Sequence, residues 1–338
     1  MEFNIAYAEL KQKVEAELAK FFDAESATNP NKESIRVIRD FCLADGKRLR
    51  PIIIVAGHEA CGGKREDILP ASIGIEILHG YFLIHDDVMD EDPVRRGKPT
   101  VHATHTSKFG SQRAGENLAI LYGDIACALA KKPILQSGFS PERKCAALEE
   151  MVDLEVKTGY GQYLDELSKL IKIENYVDYV LEIHKYKTAW YTLAGPLRLG
   201  AILASATNSQ IQALTDFGLN VGLAFQIQDD LMGTLNPEAL KKAKNDITEG
   251  KLTMPLACLY EQGTSEQIAA VNNYRGKPLN EDDCTKVKAV LEESGALSRC
   301  REMAEHYVGI ADRILADIDV RNKEFLSGLA NFVIKRNR

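Results

Sequence analysis

The most constraining feature of this chain is the spacing of its apolar residues, which recur at three- and four-residue steps along most of the 338-residue sequence. The pattern predicts helices over about Ile5–Phe22, closed off by Pro30, and over Glu33–Ala44, stopped by Gly46. Pro51–Cys61 reads as a buried segment ending at Gly62-Gly63, and Asp67–Asp90 as a long, mostly apolar helix ending before Pro93. Further helices are predicted over Glu116–Ala130, Pro141–Lys169, Glu174–Leu193, Pro196–Ala204 and Ser209–Leu235. The last four span Met254–Glu261, Ser265–Tyr274, Glu281–Glu293 and Leu297–Arg336. Glu91–Gly115, polar and rich in Arg, Thr, His and Gly, reads as a functional loop. No run alternates with period two, and no Asn-Gly or Asp-Gly turn separates two apolar runs, so an all-α helical bundle is predicted. No linker or composition break divides the sequence. Residues 1–338 are therefore read as a single domain, although the length alone would allow two.

Charge narrows the function classes. A net charge of −7 argues against a nucleic-acid binder, yet basic residues gather in Lys47-Arg48-Leu49-Arg50 and in Arg95-Arg96-Gly97-Lys98. Compact basic knots on an acidic protein suit small anionic ligands, although either knot alone also fits a solvated loop. There is no run of 18 or more apolar residues, so no transmembrane segment is expected. Met1–Lys20 mixes Glu and Lys with Ala and Leu, unlike a signal or transit peptide. Seven cysteines without CxxC spacing fit a reduced compartment, and a cytoplasmic location is expected.

Two acidic clusters carry the chemistry. In Asp86-Asp87-Val88-Met89-Asp90, at the C-terminal end of an apolar helix, Asp86 and Asp90 lie one turn apart on one face. Like charges at that spacing repel, and a helix C-terminus disfavours anions. A compensating cation resolves both terms, and hard oxygen ligands are what Mg²⁺ takes in phosphate-handling sites. The second cluster, Phe225-Gln226-Ile227-Gln228-Asp229-Asp230, also follows an apolar helical run. Two carboxylate-tipped helices can clamp one diphosphate through metal ions. A di-iron carboxylate bundle is disfavoured, because no Glu-x-x-His pair appears.

These residues resemble the trans-isoprenyl diphosphate synthases, which make geranyl, farnesyl and geranylgeranyl diphosphates. The resemblance runs from about Gly46 to Arg338. Gly46-Lys47-Arg48-Leu49-Arg50-Pro51 is similar to the family's first basic motif, and Asp86–Asp90 to its first aspartate-rich motif, followed by Arg95-Arg96-Gly97-Lys98-Pro99-Thr100. Gly123-Asp124, Gly161-Gln162-Tyr163-Leu164-Asp165 and Lys187-Thr188-Ala189 fall in the family's order. Phe225–Asp230 resembles the second aspartate-rich motif, and Asp246-Ile247-Thr248-Glu249-Gly250-Lys251 trails it.

The resemblance implies an isoprenoid-synthase-type bundle around a central apolar cavity, with Mg²⁺ as cofactor and a homodimer as assembly. Asp86 and Asp90 would ligate two ions that bridge to the allylic diphosphate, with Asp87 supporting them. Asp229 would hold a third ion, with Asp230 and Asp246 in its water shell. Arg95, Lys187, Thr188 and Gln226 would contact the allylic diphosphate during catalysis, and Lys251 would approach it. Lys47, Arg50, His79 and Arg96 would bind isopentenyl diphosphate; outside the resemblance, His79 reads as an ordinary core histidine. The implied reaction ionises the allylic diphosphate, lets the isopentenyl double bond attack the cation, and loses a proton, with released diphosphate as base. Water must be kept from the cation, which an apolar cavity does.

Two departures stand out. Gly233 occupies the place where many members carry a third Asp, although archaeal-type sequences also carry Gly there. The segment from Gly233 to Asp246 is short and lacks the expected Gly-Lys, leaving Lys241 as the candidate lysine. A terpene cyclase does not need a second diphosphate site, so Lys47, Arg50 and Arg96 argue against one; a non-catalytic partner subunit typically loses an aspartate-rich motif. Tyr81 and Phe82, one turn before the first cluster, would form an aromatic floor under the growing tail, or else pack as ordinary core. Such a floor is similar to that of farnesyl-type members, whereas Gly233 points to the twenty-carbon product. Farnesyl diphosphate is the expected product, with geranylgeranyl diphosphate the second.

Overall fold

A computed structural model describes residues 2–235, 247, 250–277 and 279–335. Regular structure among them is almost wholly helical, as the spacing predicts. The chain packs as two compact units, Met1–Met151 with Leu199–Ala206, and Val152–Arg198 with Thr207–Arg338. Two of the three boundaries, after Met151 and after Arg198, fall inside helices, and the third lies in the short connection between Leu203 and Asn208.

The first unit begins with α1 (Glu2–Thr28), α2 (Lys32–Cys42), α3 (Leu49–Ala60), α4 (Arg65–Ser72) and α5 (Gly74–Met89). It continues through α6 (Val101–Phe109), α7 (Gln112–Leu129) and α8 (Lys132–Gln136) into α9 (Pro141–Leu167). The long helix expected over Asp67–Asp90 is interrupted at Ile73, just after Pro70, whose ring and missing N–H interfere with regular helix bonding. By length and composition the stretch Arg65–Met89 could cross a membrane, but 67% of its apolar window is buried inside the protein. Its apolar residues serve the core: Ile75, Ile77 and Leu78 are at most 1% exposed.

The expected loop Glu91–Gly115 is a correction. It contains the helix α6 and a two-stranded hairpin, β1 (Val94–Arg95) paired antiparallel with β2 (Lys98–Pro99). The turn residues Arg96 and Gly97 both have positive φ, 53° and 75°, as a two-residue hairpin turn of the mirror-image type requires. Arg-Gly is not the Asn-Gly or Asp-Gly signal by which such turns are recognised, so the hairpin is hidden in the sequence.

The second unit takes in the C-terminal part of α9, then α10 (Tyr176–Ile183), a π-helix over His184–Ala194, and the start of α11 (Gly195–Leu203). It continues with α12 (Asn208–Leu235), α13 (Met254–Gln262), α14 (Ser265–Asn272), α15 (Glu281–Glu293), α16 (Ala296–Asp317) and α17 (Lys323–Lys335). Capping boxes start α14 at Thr264 and α15 at Asn280. The helix expected over Leu297–Arg336 breaks at Ile318, which turns extended, and Asn322 has φ 55°. Its buried core runs from Val180 through Ile227 and Leu256 to Leu291 and Leu297.

Candidate active site

In the first unit, α5 delivers the first carboxylate cluster at its C-terminal end. Asp86 and Asp90 are partly exposed, while Asp87 is 1% exposed. Asp90 caps the helix, its N–H donating to the Asp86 carbonyl at 2.8 Å. The hairpin lays Arg95 across the cluster: its Nη2 donates to Asp86 Oδ2 at 3.2 Å and its Nε to Asp87 Oδ1 at 2.5 Å. The carboxylates thus have a basic partner from the hairpin, not from helical spacing. Burial pushes the Asp87 carboxyl up to about 6, against the opposing pull of Arg95. Asp87 Oδ2 is buried with no hydrogen-bond partner. Two outward carboxylates on one face and an orphaned inner oxygen fit a hard divalent cation. Among the described residues no three His, Cys, Asp or Glu side chains are grouped so as to hold a metal ion by themselves.

The basic knots divide their labour. Arg48 is 3% exposed and pinned in the left-handed region at φ 53°, donating to Glu76 Oε1 at 2.8 Å and to the Ala44 carbonyl at 2.6 Å. It is a structural anchor. A Cβ on Gly46 would lie 2.8 Å from the Arg48 guanidinium and 3.1 Å from that of Arg96, so glycine lets both approach. Lys47 is exposed, its backbone carbonyl accepting from the Tyr7 hydroxyl at 2.6 Å. Arg96 donates to the Asp45 carbonyl. Burial, then the charges of Arg50, Arg96, Arg95 and Arg48, hold His79 well below the usual imidazole range. His79 is thus a neutral imidazole in the field of four guanidiniums, an environment that suits an anion. On the same helix the Tyr81 and Phe82 rings meet with centroids 4.7 Å apart.

In the second unit, the π-helix carries Lys187 and Thr188. Its backbone is approached closely by three glycines: a Cβ on Gly161 would lie 2.2 Å from Lys187 N, on Gly222 2.5 Å from Ala189 Cα, and on Gly218 2.7 Å from Ala194 Cα. π-helical backbone is rare and frequently falls at functional sites. Lys187 is ion-paired with Asp165. Burial raises Asp165, but Lys187, Lys251 and Lys169 outweigh it and hold the carboxyl below its usual range. The charges of both Lys187 and Lys251 thus act on one carboxylate. The sequence assigns Asp165 no role, although its motif is visible; the structure makes it the partner of Lys187.

The second cluster splits in the same way as the first. Asp229 is exposed, whereas Asp230 is 6% exposed. Asp230 accepts from Gln226 Nε2 at 3.1 Å and from the Met254 N–H at 2.7 Å, and His184 Nε2 lies 3.1 Å from its Oδ2. These contacts give Asp230 and Gln226 structural partners within the second unit. Asp230 ties α12, the π-helix and α13 together, and Gln226 is engaged with Asp230. Lys241 and Asp246 lie outside the described residues.

A polyprenyl synthetase family model matches residues 32–293. The geranylgeranyl diphosphate synthase of Saccharolobus solfataricus is 32% identical over 307 residues, covering 87% of this chain and 88% of its own length. The geranylfarnesyl diphosphate synthase of Aeropyrum pernix is 31% identical over 303 residues, covering 87% and 91%. Among solved structures, the geranylgeranyl pyrophosphate synthase of Corynebacterium glutamicum, complexed with isoprenyl diphosphate and magnesium, superposes with a TM-score of 0.87 at 28% identity, covering 98% of this chain and 99% of that one. The carboxylate clusters, the guanidinium-ringed histidine and a family match across most of the sequence lead to one conclusion: the chain belongs to the polyprenyl synthetase family, as a short-chain trans-prenyl diphosphate synthase.

Proposed function

We propose that the chain joins isopentenyl diphosphate to an allylic diphosphate, dimethylallyl or geranyl, in a Mg²⁺-dependent reaction with farnesyl diphosphate as principal product. The observation that carries this reading is the segregation within the first unit. Partly exposed carboxylates, Asp86 and Asp90, suit a metal-bound diphosphate, while His79, Arg50 and Arg96 suit a metal-free one. Asp86 and Asp90 in the first unit would hold Mg²⁺, which when bound would neutralise the leaving diphosphate as the allylic C–O bond breaks, and Asp229 in the second unit is a further carboxylate suited to that ion. Neutral His79 donates one hydrogen bond to the isopentenyl diphosphate without adding charge, and Lys47, Arg50 and Arg96 supply the positive charge. Arg95 in the first unit is suited to the allylic diphosphate, as are Lys187 and Thr188 within the second, and the released diphosphate takes the proton.

Farnesyl diphosphate is supported by the paired Tyr81 and Phe82 rings one turn below Asp86. Geranylgeranyl diphosphate is the second reading, favoured by the names of the matching relatives and by Gly233. We read 1–338 as one synthase domain, supported by a family match that runs through both units. A cytoplasmic location is supported by seven free cysteines, and a homodimer by the large apolar side chains that Ile120 and Leu121 leave exposed on α7. One incubation tests the reaction: protein, Mg²⁺, isopentenyl diphosphate and each allylic primer, with the dephosphorylated products separated by chromatography. Farnesol is expected, lengthened by at least one five-carbon unit in the Tyr81→Ala, Phe82→Ala double variant. No product from any primer overturns the reading.

A further inference from the structure

His85, immediately before the first carboxylate cluster, is held in a notch on α7. A Cβ added to Gly123 would lie 2.1 Å from His85 Nε2 and 2.3 Å from Cδ2, so only glycine leaves room for the ring. Seated there, His85 Nε2 lies 3.0 Å from the Ile120 carbonyl, which accepts its hydrogen bond. The ring faces back along α5: Tyr81, one turn earlier, meets it edge-on with centroids 4.8 Å apart and an interplanar angle of 70°. Tyr81 in turn rests against Phe82 at 4.7 Å. An unbroken line of contacts thus joins the backbone of α7 to the two rings below Asp86.

We propose that His85, seated against Gly123, is a specificity-determining positioning residue that fixes the Tyr81 ring and so sets product length. The proposal rests on the reading that Tyr81 and Phe82 form the floor beneath the tail. The edge-on His85 ring bounds the Tyr81 side chain on the side facing α7. Removing that ring opens a void beside Gly123, Tyr81 relaxes into it, and the floor drops.

The test compares product lengths for His85→Phe, His85→Gln and His85→Ala, alone and in a Tyr81→Ala background. His85→Phe keeps a ring in the notch and is expected to retain the wild-type product. His85→Gln keeps an N–H for the Ile120 carbonyl but no ring, and His85→Ala keeps neither; both are expected to move at least half of the product to the next five-carbon length. Because His85 acts through Tyr81, adding His85→Ala to Tyr81→Ala is expected to change nothing further. If Tyr81→Ala lengthens the product while His85→Gln and His85→Ala do not, His85 has no such role and the proposal is overturned. Additive lengthening in the double variant overturns it too, since His85 would then act directly. If Tyr81→Ala itself leaves the product unchanged, the floor reading fails and takes this proposal with it. Melting temperatures recorded alongside identify any variant that is unfolded, and His85→Gln then stands in for His85→Ala.

Discussion

The two aspartate clusters look alike in sequence and differ in what their neighbours do. Each has an outward and an inward carboxylate. At the end of α5 the inward one, Asp87, is held by a charged partner, Arg95, that comes from a hairpin and also touches Asp86. On α12 the inward one, Asp230, is held by a side-chain amide, an imidazole and a backbone N–H. The first cluster adds a second outward carboxylate, Asp90, one turn on, where the second has Gly233. The two members of an Asp-Asp pair are therefore not equivalent: one faces outward, and its neighbour, about 100° round the helix, is driven into the core. What separates the clusters is how the buried charge is satisfied and how many carboxylates remain outside.

The comparison breaks most visibly if the outward carboxylates are not the metal-binding ones. Asp86→Ala or Asp90→Ala is expected to lower turnover by about two or more orders of magnitude, the loss typical when charge stabilisation at a leaving group is removed. Excess EDTA is expected to abolish product formation, and Mg²⁺ to restore it. Steady-state rates with and without chelator are the measurement, and full activity in EDTA contradicts the reading.

Asp230→Ala should show the opposite signature, with stability lost rather than only turnover. It strips the acceptor from Gln226, His184 and the Met254 N–H, and unsatisfied buried donors cost about 1–3 kcal/mol each. Partial relaxation leaves an expected loss of about 2–5 kcal/mol, read from the melting temperature of the metal-free protein. Asp229→Ala, whose side chain is exposed, is expected to change that temperature little. Equal destabilisation by both substitutions would erase the inward–outward distinction.

A third substrate group sharpens the comparison by lying outside both clusters. Lys47→Ala or Arg96→Ala is expected to raise the KM for isopentenyl diphosphate roughly ten- to a hundredfold, from a lost charged hydrogen bond of about 1.5–3 kcal/mol. The allylic KM should move much less. A larger rise in the allylic KM would exchange the two sites.

Helix positions were legible in the sequence because they follow from apolar spacing and local stop signals, and the outward carboxylates were legible from spacing together with the family resemblance. What escaped depends on residues far apart. The partnership of Asp165 with Lys187 spans 22 positions and that of His184 with Asp230 spans 46, and no local pattern announces either. The structural role of Arg48 against the ligand role expected of Arg50, two residues on, is decided by burial against Glu76. The hairpin under Arg95 was hidden because Arg96 adopts a positive φ that its side chain does not advertise.

The smallest effect is expected from making the second cluster resemble the first. Gly233→Asp would place a carboxylate one turn after Asp229, reproducing the spacing of Asp86 and Asp90. Gly233 lies within α12, where replacing glycine recovers a few tenths of a kcal/mol of helix propensity. Repulsion from Asp229 at that spacing costs about 0.2–0.5 kcal/mol, so the two contributions nearly cancel. Because Asp229 already supplies the outward carboxylate, turnover is expected to stay within about threefold of wild type, a difference of less than 1 kcal/mol in the barrier. The Mg²⁺ concentration for half-maximal rate should fall if the added carboxylate reaches the ion, and this titration is the sensitive readout. A large gain in turnover would mean that the second cluster is impaired by Gly233, and that the clusters differ because one is incomplete rather than because their buried partners differ.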